Sequence, residues 1–184
     1  MPNDFKLMFL AAHRFENDEV FRGAFLITDD NTTPLEFRCT SPVRPTALQK
    51  TLYGGILDQY ILVNLIGIPL VRSATIRPDL ILVRGPSFLE LRPQIDIPIL
   101  RIFKDIEVDP EIDDKPQATL ITSESGKFEP VLIGTHKDYI EERETLRASL
   151  NEIFRRRSLM EPFKRINTAL QQVHEQKVGE ERGN

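Results

Sequence analysis

The chain has 184 residues, enough for one sizeable core or for a core with a helical appendage. Apolar residues make up 40% and charged residues 28%, and the net charge of −4 means that any nucleic-acid binding must come from a local patch. A single cysteine excludes an internal disulfide framework and a cysteine-cluster zinc site.

The opening MPNDFKLMFLAAHRFENDEV has too short an apolar run for a signal peptide. Its segment FKLMFLAAH reads as a buried strand, and EVFRGAFLITDD as a second. After the turn DDNTTP, LEFRCT alternates Leu35, Phe37 and Cys39 on one face with Glu36, Arg38 and Thr40 on the other, the period of a half-buried strand. Three strands with short turns predict an antiparallel meander.

Pro42 and Pro45 stop the third strand, and Thr46 with Gln49 forms a capping box for a helix. Leu48, Leu52, Ile56, Tyr60 and Val63 then repeat as a helical stripe. Gly54 and Gly55 interrupt it, marking either close packing on the sheet or a break in the helix. The run ILVNLIGIPLV contains Asn64 and Pro69 and is too short for a membrane span, so it predicts a buried segment in a cytoplasmic protein.

PDLILV and DIPILRIF are continuous apolar runs joined by GPSFLELRPQ, and they predict a parallel pair with a compact crossover in which Pro98 delays the second strand. KDIEVDPEIDDKP reads as an exposed acidic linker and ATLITSESGKFEPVLIGT as a hairpin. Two helices follow. The first starts at a Thr135–Asp138 box and carries Ile140, Leu146, Leu150 and Ile153; the second starts at Ser158 with Glu161. The expected class is α/β: a mixed sheet with an N-terminal three-stranded meander, a helix, two parallel strands, a hairpin and C-terminal helices. The expected division is an α/β core over 1–103, a linker over 104–116, a hairpin and helical region over 117–178 packing on the core or on a partner, and a disordered tail over 179–184. The order of the first five strands and the helix is similar to that of the ribonuclease H-like fold, with no family motif accompanying it.

The chemistry-bearing residues support two readings. A metal-dependent nuclease or phosphodiesterase needs converging carboxylates, for which Glu36, Asp58, Asp79 and Asp96 are the candidates. Against it, the first strand has no acid, and Arg84 stands where the fourth strand ends. Cys39 lies on an apolar face, and His13, His136 and His174 are dispersed, so no nucleophilic constellation is evident. No cofactor is called for, and LYGGIL lacks the lysine and hydroxyl residue of a phosphate loop.

The main reading is therefore a non-catalytic binding or assembly module, a subunit of a larger complex that handles nucleic acid, and not an enzyme. Between Arg38 and Arg101 eight basic residues face four acids, seven of the eight being arginine. Arg38, Arg44, Lys50, Arg77 and Arg84 are the candidate ligands for phosphate or carboxylate. Leu159, Phe163, Ile166, Leu170 and Val173 repeat as a heptad-like seam, assigned to a protein partner or a second copy of the chain.

Overall fold

The computed structural model describes residues 4–107 and 118–180, and in it the apolar runs become the strands of one sheet. β1 (Leu7–Phe15), β2 (Val20–Thr28) and β3 (Pro34–Cys39) pair antiparallel in sequence. β4 (Leu80–Val83) pairs parallel with β1, and β5 (Ile99–Phe103) parallel with β4. The hairpin strands β6 (Thr119–Ile121) and β7 (Val131–Gly134) extend the same sheet, because β7 pairs with β5. The order is β3-β2-β1-β4-β5-β7-β6, a mixed seven-stranded sheet of the expected α/β class. Part of the expected acidic linker, 108–116, and the end of the tail, 181–184, lie outside the described residues.

β2, β4 and β5 are buried along their whole length because helices cover both faces. One face is covered by the helical stretch Ala47–Ser73. It begins as α1 (Ala47–Tyr53), where Thr46 Oγ1 accepts from Gln49 N at 3.1 Å and Gln49 Oε1 accepts from Thr46 N at 2.9 Å, as the capping box predicts. It tightens into a 3₁₀ turn at Gly54–Ile56, returns as α2 (Leu57–Tyr60), widens to a π-helix at Ile61–Gly67 and ends as α3 (Ile68–Ser73). The widening has a local cause: Pro69 has no N–H to continue an α-helical ladder. Just before it, Ile68 N–H donates to Val63 O, five residues back.

These changes of helix rephase the predicted stripe. Val63 is buried, but Leu48, Leu52 and Ile56 are 65%, 71% and 67% exposed. The buried set is instead Leu57, Ile61, Val63, Ile66, Leu70 and Val71, so the run 61–71 is a core element as expected. Gly54 and Gly55 have open space around them; they mark the break and not close packing.

The other face carries α4 (Glu142–Arg156) and α5 (Glu161–Glu175). No cap forms at Thr135: α4 starts only at Glu142, and Ile140 is exposed. The second start forms in part: Ser158 Oγ accepts from Met160 N and Glu161 N at 3.1 Å each, but α5 begins after Met160 and the Glu161 carboxylate turns to Arg165 instead of back to Ser158. The seam assigned to a partner is corrected here. Leu159, Phe163, Ile166 and Leu170 are buried in the chain's own core and Val173 is half-buried; Phe163 meets Phe9 of β1 edge-to-face at 5.3 Å. An amphipathic helix reports that it needs cover, and the sheet supplies it.

Candidate functional site

β1 is longer than its parallel neighbour. The register runs from Leu7 opposite Leu80 to Leu10 opposite Val83, so residues 11–15 continue past the end of β4. The chain then leaves β4 through Gly85 into a 3₁₀ helix, Pro86–Gln94, and a crevice opens where the two parallel strands part. Such positions beyond the carboxyl ends of parallel strands are where open α/β sheets hold ligands. The crevice is a cavity of about 340 Å³ walled by Ala11, His13 and Arg14 of β1, Arg84 after β4, and Phe163 and Asn167 of α5, among others.

Two arginines set its charge. The Arg14 guanidinium lies over the Phe21 ring at 4.7 Å and donates to Asp58 Oδ2 at 2.6 Å. Arg84 approaches the Phe163 ring at 5.9 Å and is ion-paired with Glu107, while its backbone carbonyl accepts from Arg101 Nε at 3.0 Å. Arg84 Nε is buried with no hydrogen-bond partner among the described residues. His13 is half-buried against Phe15, with ring centroids 4.8 Å apart, and its nitrogens have no hydrogen-bond partner among the described residues. The wall thus offers two cations and an imidazole, with no carboxylate from β1 itself.

The acids named for metal chemistry do not converge. Glu36 accepts from Thr75 N, Thr75 Oγ1 and Ile76 N, and it pairs with Arg38. Asp79 accepts from Lys6 N at 2.8 Å at the start of β1 and β4, the end opposite the crevice. Asp96 precedes β5, where Arg77 donates to its backbone carbonyl. Of the four, only Asp58 pairs with a residue of the crevice wall, Arg14, and it does not itself line the cavity. Among the described residues no three His, Cys, Asp or Glu side chains gather as a metal site needs. Among the described residues, then, no side chains are grouped to hold a divalent ion.

The five basic candidates also separate. Arg84 lines the crevice. Arg44 bridges Glu16 and Glu180, and its hydrogen bond holds Glu16 below the usual carboxylate range. Lys50 pairs with Glu19. Arg38 sits on the edge strand β3, and Arg77 lies at the far end of the sheet. His13 is weighed in the sequence only as a dispersed histidine, and Arg14 and Asn167 are not among its candidates. Arg14 lies outside the arginine-rich stretch, and only the topology brings Asn167 to the end of β1.

Solved structures share this architecture. An endonuclease V of Ciona intestinalis, in complex with a 23mer DNA containing an inosine followed by a ribo-adenosine, matches with a TM-score of 0.55 at 13% identity, covering 93% of this chain and 86% of its own. The enzyme of the same organism without the point substitution that the first structure carries, in complex with a 24mer DNA, gives 0.55 at 12% identity, over 92% and 87%. The fold is ribonuclease H-like. No protein-family model matches the sequence, and no curated protein matches it. The shared fold overturns the reading of the chain as a non-catalytic assembly module rather than an enzyme: over nearly its whole length the chain has the architecture of an endonuclease, and the helices assigned to a partner are core.

Proposed function

We propose that this protein cleaves nucleic-acid phosphodiesters in the crevice between the ends of β1 and β4. The observation that carries the reading is the placement of His13, Arg14 and Arg84 around one cavity at that point of the fold. Guanidinium groups match phosphate oxygens in geometry and charge, and fixed cations are worth most where negative charge grows in the transition state. His13, with no competing hydrogen bond among the described residues, is suited to accept the proton of an attacking water as its oxygen bonds to phosphorus. The ester P–O bond breaks, and the leaving oxygen takes a proton from solvent water while His13 later returns its proton to solvent. Phe21, Phe88 and Phe163 give the cavity an apolar wall beside these groups.

The reading is tested with end-labelled single- and double-stranded DNA and RNA, including DNA that carries inosine as in the complexes of the structural neighbour. The expected result is cleavage of at least one substrate by the wild type, reduced at least about 100-fold in His13→Ala, in line with the usual contribution of a general base. Absence of cleavage across the panel contradicts it.

A further inference from the structure

We infer that the crevice binds its phosphate by exchanging anions, without a divalent ion: a phosphodiester displaces Asp58 from Arg14 and Glu107 from Arg84. The inference rests on the reading of the crevice as a phosphodiester site.

Three observations carry it. The residues that wall the cavity are cationic or neutral, and no metal-ligating group of three side chains exists among the described residues. A divalent cation there would face two guanidinium groups, whereas a phosphate is attracted by both. Each guanidinium is already held by one carboxylate: Arg14 by Asp58 at 2.6 Å and Arg84 by Glu107.

Both pairs are open to water. Side-chain exposures are 40% and 53% for Arg14 and Asp58, and 32% and 35% for Arg84 and Glu107. Exposed pairs of this kind shift an equilibrium by about fivefold or less, so an incoming phosphate can replace them. The carboxylates orient the arginines in the absence of substrate and compete weakly with it. Glu107 also accepts from Lys104 N at 2.7 Å through Oε2, so its carboxylate keeps a partner when a phosphate takes Arg84 from it.

The test is fluorescence anisotropy of a labelled single-stranded oligonucleotide, in EDTA and in Mg²⁺ or Mn²⁺ at equal ionic strength, for the wild-type chain and for Glu107→Gln, Asp58→Asn and Arg84→Gln. Circular dichroism establishes that each variant is folded. The expected result is an affinity equal within about twofold with and without the metal, and binding two- to fivefold tighter in Glu107→Gln and in Asp58→Asn. In Arg84→Gln binding weakens, and the slope of log K against log salt falls by about 0.7, the loss of one phosphate contact on a single strand. Because Asp58 and Glu107 lie on different elements, loss of fold in one variant leaves the other to decide. Binding that needs the metal, or that weakens in the two carboxylate variants, overturns the inference and leaves the cleavage reading standing. EDTA-resistant binding that tightens in these variants supports the inference even where no substrate is cleaved, a result that sinks the cleavage reading alone.

Discussion

The buried guanidinium of Arg22 donates from Nε to Nδ1 of His174 at 3.0 Å, tying the second strand to the last turn of α5. Arg22 is 0% exposed, and its Nη1 also donates to the carbonyls of Val178 at 2.8 Å and Thr40 at 3.3 Å. Burial pushes its pKa below the ordinary guanidinium value, and Glu180, 3.9 Å away, pulls it back. His174 in turn stacks on Phe15 with ring centroids 4.0 Å apart. Arg22→Ala removes donors from two backbone carbonyls and opens a void, and is expected to cost about 2–4 kcal/mol in denaturant unfolding. His174→Phe keeps the stack and loses only the acceptor, so it should cost less. Hydrogen exchange at Val178 reads the same link locally: its amide should exchange faster in Arg22→Ala. Equal stability of Arg22→Ala and wild type would refute this role.

Glu36 gives a pH prediction with a definite sign. Burial works against its charge, but the N–H groups of Ile76 and Thr75, with Arg38 and the Thr75 hydroxyl, outweigh that and bring its pKa from 4.5 down to about 2. A carboxyl whose folded value is depressed stabilises the fold above its unfolded value and loses that contribution as pH falls. The contribution of Glu36 is therefore complete above about pH 4.5 and disappears toward pH 2. Glu36→Gln should cost about 1–3 kcal/mol at neutral pH, the usual worth of hydrogen bonds to a charged group. The gap between variant and wild type should close over that acid window when melting is followed against pH.

Gly23 of β2 faces the π-helical segment with no room for a side chain. A Cβ there would stand 2.1 Å from Ile66 Cγ2 and 3.2 Å from Leu70 Cδ1. Ile66 is β-branched and buried, so it cannot turn aside. Gly23→Ala is expected to destabilise by about 1–3 kcal/mol, and a second change, Ile66→Ala, should couple with it favourably in a double-mutant cycle. Gly55→Ala meets open space and should stay within about 0.5 kcal/mol of wild type. Gly54 has φ of 52°, where an alanine is strained, and its replacement should cost about 1 kcal/mol.

The strands were legible because continuous apolar runs such as LILV state directly that both faces are covered. The alternation of LEFRC marks a strand but misplaces its cover: on the edge strand β3 Leu35 and Phe37 are exposed, and Glu36 on the opposite face is the more buried, tied down by Thr75 and Ile76. The capping boxes divided on tertiary grounds: Thr46 forms both bonds, Ser158 only accepts from Glu161 N, and His136, 4% exposed, is buried in the loop after Thr135 so that the helix waits until Glu142. The stripe from Leu48 failed because a period of four assumes one unbroken helix, and this one passes through 3₁₀ and π turns. The seam from Leu159 was read correctly as apolar, but periodicity carries no information about what covers it. The candidate site was the least legible part. His13 and Arg14 sit in β1, Arg84 after β4 and Asn167 in α5, and no local pattern links residues so far apart in sequence. Arg22 was hidden for a similar reason: a lone arginine inside VFRGAFLIT has no local partner, and its partners arrive from the C-terminal turn.

Cleavage of a phosphodiester in the crevice between β1 and β4, as proposed, is tested most directly by single-turnover cleavage of the best substrate by wild type and by Arg84→Ala, with folding established by circular dichroism. The expected result is cleavage by the wild type and a loss of at least about 100-fold in the folded variant, as for removal of one charge-stabilising donor. A folded Arg84→Ala that cleaves as fast as wild type would contradict it.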